Sequence, residues 1–157
     1  MRRDKNLLTL SWEHHDGLKT ALRLNRGLDR QVDVKILRDY LLYVWQNDLQ
    51  HHFEQEEQAL LQPEQNVEAG RQLIERVLSE HKKFAELIEN VKKEQGAISE
   101  ILSEFAALLE RHIRFEEREF YSFVESNLSK AKLEEIGAYL KAEHRTACST
   151  WQPEFWK

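Results

Sequence analysis

The chain has few of the residues that interrupt helices and almost no cysteine. It contains five glycines and two prolines in 157 residues, whereas leucine, glutamate, lysine, alanine and arginine, which favour helices, are abundant. An all-α protein is therefore expected. The single cysteine, Cys148, cannot form an intrachain disulfide, which fits a reducing compartment.

Long apolar runs and an excess of basic residues are also missing. No stretch approaches the roughly 20 apolar residues of a membrane span, and the basic start at 1–5 is not followed by the apolar core of a signal peptide. The formal net charge is −5, and no basic block offsets it, which argues against nucleic acid as a partner. We therefore expect a soluble cytoplasmic protein with no membrane and no nucleic-acid partner.

Apolar residues recur every three or four positions in four long segments, which predicts four main helices. Ser11 is expected to cap the first helix and Asp33 the second. Short links between the helices favour an antiparallel up-down four-helix bundle in a single domain over 1–157. The bundle core is expected over about 11–127. A short extra helix from about Lys130 to Glu143 and an aromatic tail complete the chain to 157.

One six-residue phrase occurs twice in the chain and carries most of the functional information. Residues 52–57 read His-Phe-Glu-Gln-Glu-Glu, and residues 112–117 read His-Ile-Arg-Phe-Glu-Glu. Each copy places a histidine and a glutamate four positions apart, so both side chains project from one helix face. Such a pair can hold one metal ion, and two facing helices can enclose a pair of metals.

Two further histidines lie on the helices that precede these motifs, His81 and one member of the pair His14-His15. Adjacent residues project about 100° apart on a helix, so only one of the pair can face the bundle axis. We predict His15, because Leu18 and Leu22 share its face, and keep His14 as the alternative.

A single histidine or a single His-x-x-x-Glu pair would not by itself indicate a metal site. A lone histidine on an apolar face is usually a hydrogen-bonded core residue, and a lone His-x-x-x-Glu pair is usually solvated. Here, however, all the candidates fall on stripes that face the bundle axis, where burial without a metal would cost several kcal/mol for each group. The sequence therefore predicts a metal site with six ligands: His15, His52, Glu56, His81, His112 and Glu116.

Other polar residues are expected to have lesser roles. Asp48 lies one turn before His52 and is either a partly exposed acid or a hydrogen-bond partner that orients a histidine ring. We expect Glu57 and Glu117 to be solvated or paired with arginine. Tyr121, like the other tyrosines, is expected to fill the core rather than donate to a bound oxygen ligand. No residue is singled out as catalytic.

Taken together, these motifs resemble the hemerythrin-like, or HHE cation-binding, family. The resemblance spans about 11–125 and rests on four motifs: Glu13-His14-His15-x-x-Leu18, His52-Phe53-x-x-Glu56-Glu57, Glu80-His81-x-x-Phe84 and His112-x-x-x-Glu116-Glu117. It implies a four-helix bundle around two non-haem irons, bridged by an oxo or hydroxo group. Glu56 and Glu116 would bridge the irons and the histidines would be terminal ligands. Manganese and zinc are alternatives for this donor set.

The chain departs from the oxygen-carrying members of this family at one position. They have a further histidine one turn before the third-helix ligand, where this chain has Val77. Of about twelve positions around two six-coordinate irons, the expected ligands and a bridging oxygen fill all but about two. A centre this open suits reactions with oxygen, nitric oxide or peroxide, or iron handling, better than reversible oxygen transport.

Two other functions remain open at the sequence level. The first is a di-iron enzyme that consumes peroxide or donates iron for the repair of iron–sulfur clusters. Repair proteins that resemble this family often begin with a cysteine-bearing segment, which 1–10 lacks. The second is a helical interaction module without metal. The tail residues Trp151, Phe155 and Trp156 either dock on the bundle or form a homodimer contact.

Overall fold

The computed structural model describes residues 2–61, 68–145 and 151–157, and every regular element in them is helical. The helices are α1 (Leu8–Asp29), α2 (Val34–Val44), α3 (Gln50–Leu60), α4 (Arg71–Lys92), α5 (Ile98–Phe115), α6 (Tyr121–Asn127) and α7 (Lys130–Glu143). Single 3-10 turns precede α1 and α4, at Lys5–Leu7 and Glu68–Gly70. The all-α prediction is confirmed; Cys148 lies outside the described residues.

Two π-turns join these helices into longer rods. Trp45–Leu49 connects α2 to α3, and Glu116–Phe120 connects α5 to α6. In the second turn the backbone N–H of Tyr121 donates to the carbonyl of Glu116, five residues earlier. Each π-turn adds one residue to a helical turn and so rotates the side chains beyond it. Helices α1 and α4 are the other two rods, and the four rods together form the predicted four-helix bundle.

The two predicted helix starts have opposite outcomes. Asp33 caps α2 as expected, since its side chain accepts a hydrogen bond from the Lys35 N–H at 2.9 Å. The prediction for Ser11 is wrong, because α1 already begins at Leu8 after the 3-10 turn that Asp4 caps. Ser11 lies inside the helix, and its hydroxyl donates to Glu117 at 2.8 Å.

The core consists of two apolar clusters with a polar layer between them. The upper cluster lies towards the C-terminal tail and includes Leu24, Tyr40, Phe84 and Phe105; the lower cluster includes Leu10, Val77, Phe120, Leu133, Ile136 and Leu140. Along α4, Val77 belongs to the lower cluster, Phe84 to the upper one, and buried His81 falls between them. The bundle therefore has a belt of buried polar side chains near its middle.

Helix α1 packs closely against α5 because its inner face carries small residues. The buried side of α1 includes Gly17, Thr20 and Ala21. A Cβ atom added to Gly17 would lie only 2.7 Å from Ile113 Cδ1. Glycine at this position therefore allows the close approach of the two helices.

The C-terminal segments cover both ends of the bundle. Helix α7 has the predicted bounds, and its apolar side chains join the lower cluster. At the other end Trp156 is 8% exposed, and the Arg23 guanidinium lies 3.9 Å from the centre of its indole. The tail thus docks on its own bundle, and a homodimer through it remains a prediction.

Within the described residues no helix is both long and apolar enough to cross a bilayer.

Candidate metal centre

Six buried side chains from four helical rods meet in the polar belt. Two sets of four side chains each bring their ligand atoms within 4.8 Å of one another, and Glu56 and Glu116 belong to both sets. The first set adds His14 and His52, and the second adds His81 and His112. Five of the six side chains that the sequence pointed to therefore come together.

The sixth predicted side chain, His15, does not reach the centre. His15 is exposed, whereas His14 is 3% exposed and points at Glu116. The prediction that His15 faces the axis is wrong because it relied on the apolar residues Leu18 and Leu22, and Leu22 is 50% exposed. The inner face of α1 is marked instead by small residues that permit close packing.

Glu56 and Glu116, which we call the inner glutamates, each face one histidine from each set. Glu56 Oε1 lies 3.2 Å from His52 Nε2 and 3.4 Å from His81 Nε2. Glu116 Oε1 lies 3.0 Å from the Nε2 atoms of both His14 and His112. This placement is what two metals that share both carboxylates would require.

A second shell of four glutamates surrounds the histidines. Each holds one Nδ1 atom: Glu117 Oε2 holds His14 at 2.9 Å, Glu13 Oε1 holds His52 at 2.7 Å, Glu57 Oε1 holds His81 at 3.3 Å and Glu80 Oε1 holds His112 at 2.7 Å. An ionised carboxylate only accepts hydrogen bonds, so each of these contacts places the proton on Nδ1. We call these four residues the outer glutamates.

Three of the outer glutamates are themselves held by polar groups further out. Arg76 lies 3.2 Å from Glu80, His144 lies 3.1 Å from Glu13, and Arg3 lies 3.7 Å from Glu117. A carboxylate that is held in this way fixes the orientation of the imidazole it contacts and increases the basicity of that imidazole towards a metal.

With Nδ1 protonated, Nε2 of a neutral imidazole is a bare lone pair that faces the inner carboxylates. Among the described residues, the Nε2 atoms of His52, His81 and His112 have no hydrogen-bond partner although they are buried, and the same holds for Glu56 Oε1 and Glu116 Oε2. Acceptors that face each other in a buried site need a proton or a cation between them. The donor set of imidazole nitrogens and carboxylate oxygens therefore fits a metal pair.

Without metal, protons must lie between these facing acceptors. Burial and the neighbouring Glu56 raise the pKa of Glu116 from 4.5 to about 8. Burial also opposes ionisation of Glu56, but His52, Glu116 and His81 together outweigh it and hold the pKa of Glu56 well below 4.5. At neutral pH the pair of carboxylates thus carries one proton. Burial opposes the charged form of His14 too, yet its bonds to Glu116 and Glu117 raise its pKa.

Aromatic rings close the centre on both sides. Phe53 stacks on His81 with the ring centres 4.3 Å apart, and Phe84 meets His112 edge-on. On the opposite side Tyr121 is fully buried and stacks against His14 at 5.1 Å. Its hydroxyl donates to Glu56 Oε2 at 2.7 Å. Burial and the carboxylates raise the pKa of Tyr121 well above 10.

Two residues singled out from the sequence lie near the centre. Asp48 is half-buried and lines a cavity of about 360 Å³ next to His52, together with Trp12 and Glu13. The ring nitrogen of His52 is held by Glu13, and a role of Asp48 in orienting a histidine remains a prediction. Val77 is fully buried one turn before His81.

The roles of the outer glutamates were not predicted from the sequence, although the signal was present. Each of them is the immediate chain neighbour of an inner residue: Glu13-His14, Glu56-Glu57, Glu80-His81 and Glu116-Glu117. Aligning Glu13-His14 with Glu80-His81 would also have selected His14. Glu57 and Glu117 were expected to be solvated or paired with arginine. Both hold histidine rings, and Glu117 also pairs with Arg3 as expected.

Comparisons with known proteins agree with this geometry. No curated protein and no solved structure gave a significant match. The sequence model described as Hemerythrin HHE cation binding domain matches residues 6–124, with a second, overlapping match at 74–149. These matches cover most of the chain, and the buried histidine and glutamate clusters fit the cation site that the family description names. The chain therefore belongs to the hemerythrin family of HHE cation-binding domains.

Proposed function

We propose that this protein binds two non-haem irons between its four helical rods. His14 and His52 would hold one metal, His81 and His112 would hold the other, and Glu56 and Glu116 would contribute to both. The observation that carries the proposal is that the ligand atoms of each set lie within 4.8 Å of one another. In addition, the described residues supply no hydrogen-bond partner for the Nε2 atoms of His52, His81 and His112.

Iron suits this donor set because imidazole and carboxylate ligands together match its intermediate hardness, and manganese and zinc are the competing ions. Bound iron would supply a redox-active cation with positions open to small molecules. The outer glutamates keep the Nδ1 protons in place, so that the four Nε2 lone pairs point inward. Phe53 and Phe84 keep water away from the second metal position.

The proposed role is a cytoplasmic response to oxygen, nitric oxide or peroxide, or iron handling, rather than reversible oxygen transport. Two observations support it. Val77 cannot coordinate, so the His81 and His112 position lacks a third histidine. A cavity of about 360 Å³ lies beside His52, a ligand of the other position.

The first experiment is elemental analysis of the purified protein after reconstitution with ferrous iron under anaerobic conditions. We expect two irons per chain, and fewer than one in Glu56→Ala and Glu116→Ala. His15→Ala, at an exposed position, is the control and should keep both irons. If the wild type binds metal no more tightly than the two glutamate variants do, the proposal is contradicted and an interaction module is favoured.

Assays of the loaded protein then separate the roles. Binding of nitric oxide or azide without turnover supports a sensor or iron-handling protein. Consumption of hydrogen peroxide that is lost in Glu116→Ala supports the enzyme, and transfer of iron to a damaged cluster in vitro supports repair.

A further inference from the structure

The Tyr121 hydroxyl is part of the polar belt although tyrosine is not one of the repeated residues. The side chain is 0% exposed. Its oxygen lies 2.7 Å from Glu56 Oε2 and 3.2 Å from His14 Nε2, and its ring is within 5° of parallel to the His14 imidazole. The hydroxyl is therefore in contact with two of the proposed ligands.

The π-turn at Glu116–Phe120 is what brings this side chain to the centre. In an uninterrupted α-helix the residue four positions after Glu116 would share its face, and that residue is Phe120. The turn closes on Tyr121 instead, whose N–H donates to the Glu116 carbonyl. Phe120 packs in the lower apolar cluster. The local helix geometry thus selects Tyr121 for the polar belt.

The two inner carboxylates differ because of this contact. Glu56 Oε2 accepts the phenol hydrogen bond, while Glu56 Oε1 lies between His52 and His81. Glu116 Oε2 is also buried, but among the described residues it has no hydrogen-bond partner. Each inner carboxylate is therefore held by a hydrogen bond at one oxygen, Glu56 at Oε2 by Tyr121 and Glu116 at Oε1 by His14.

We propose that Tyr121 is a positioning residue of the metal centre. Its hydroxyl fixes Glu56 through Oε2 and keeps Oε1 turned towards both metal positions. The proposal rests on the metal site proposed above and adds a residue that orients one of its ligands.

The test compares Tyr121→Phe with Tyr40→Phe. Tyr40 is also a buried tyrosine, 1% exposed, but its hydroxyl meets Arg23 under the docked tail, outside the polar belt. Loss of a partner that orients a metal ligand typically weakens metal binding by about 10- to 100-fold. We expect a loss of that size in Tyr121→Phe, measured by chelator competition, and less than about twofold in Tyr40→Phe.

Two further readouts distinguish positioning from a general structural effect. In a Glu56→Gln background Tyr121→Phe should no longer change the metal affinity, whereas in Glu116→Gln it should still do so. The absorption of the azide-bound ferric protein should shift in Tyr121→Phe and remain unchanged in Tyr40→Phe.

Several outcomes would overturn the inference. Equal metal affinities and identical azide spectra for wild type and Tyr121→Phe would show that the hydroxyl has no role at the centre. Resonance Raman of the ferric wild type needs no variant, and phenolate modes there would make Tyr121 a direct ligand instead. A wild type that binds no metal would overturn this inference together with the proposed function, whereas the first two results leave that function intact.

Discussion

At the scale of single residues, every histidine of the centre is bound at Nδ1 and faces a carboxylate at Nε2. An outer glutamate fixes Nδ1 and an inner glutamate faces Nε2. Metal and protons therefore compete for the same inner atoms. Because the pKa of Glu116 is raised to about 8, metal binding at neutral pH must displace its proton, and metal affinity should increase with pH.

The assignment of His14 is tested by two single variants. His14→Ala removes a ligand of the first metal position and should leave about one metal per chain. His15→Ala changes an exposed side chain and should leave the metal content unchanged. Elemental analysis after identical reconstitution measures both. A loss of metal in His15→Ala alone would restore the assignment made from the sequence.

The raised pKa of Glu116 predicts a pH-dependent stability of the metal-free protein. The folded state keeps the Glu116 proton up to about pH 8, whereas the unfolded chain releases it near 4.5. The stabilisation is therefore complete below pH 4.5 and is lost as the pH rises through 8. Glu116→Gln cannot titrate, so by pH 9 it should be more stable than wild type, by an amount on the order of a few kcal/mol.

Urea unfolding of chelated protein at pH 5 and pH 9 measures this difference. Glu119→Gln, at an exposed position of the same π-turn, is the control and should follow the wild type. A gap between Glu116→Gln and wild type that does not widen from pH 5 to pH 9 would show that Glu116 does not carry the proton.

Val77 offers a test of the open coordination position. Val77→His places an imidazole one turn from His81 on the same face, where it can fill a vacant position on the second metal. We expect weaker azide binding and slower peroxide turnover, if turnover is present. Azide titration of both loaded proteins measures the change, and equal affinities would show that valine at this position does not leave the site open.

At the scale of helices, the approach of α1 to α5 depends on Gly17. A leucine there would meet Ile113, since even a Cβ atom would lie 2.7 Å from its Cδ1. Overpacking of this kind costs about 1–3 kcal/mol, and we expect Gly17→Leu to lose that much stability in urea unfolding. Ile113→Ala should relieve part of the clash, so the double variant should lose less than the sum of the single changes. Additive losses would show that the two side chains do not meet.

The helices also show where local signals were sufficient. Asp33 and the bounds Lys130–Glu143 follow from residues at the helix ends, and the structure agrees with both. The π-turns were not foreseen, because periodicity predicts the average turn rather than a single added residue. The start of α1 was misplaced because Ser11 resembles a cap, although its hydroxyl is directed to Glu117.

At the scale of the whole molecule, the polar belt separates two apolar clusters, so bound metal would connect all four rods at their middle. A ligand that binds only the folded state adds about 2.7 kcal/mol at a hundredfold excess over Kd. For a chain of 157 residues that corresponds to an increase of several degrees in Tm. Chelation should reverse the increase, and Glu56→Ala should abolish it.

Differential scanning calorimetry with and without chelator measures this effect. His15→Ala is again the matched control and should show the full increase in Tm on metal addition. If the melting curve is unchanged after metal removal has been verified by elemental analysis, the metal does not stabilise the fold.

The sequence alone determined the helical class, the four-helix arrangement and five of the six inner side chains. These depend on the spacing of residues along one helix, such as the four positions between His52 and Glu56. The tertiary structure decided what depends on contacts between helices. Close packing at Gly17 turns His14 inward, the outer glutamates reach histidines on neighbouring rods, and the π-turn delivers the Tyr121 hydroxyl to Glu56. Periodicity within one helix cannot show these contacts, because each depends on how two helices are placed relative to each other.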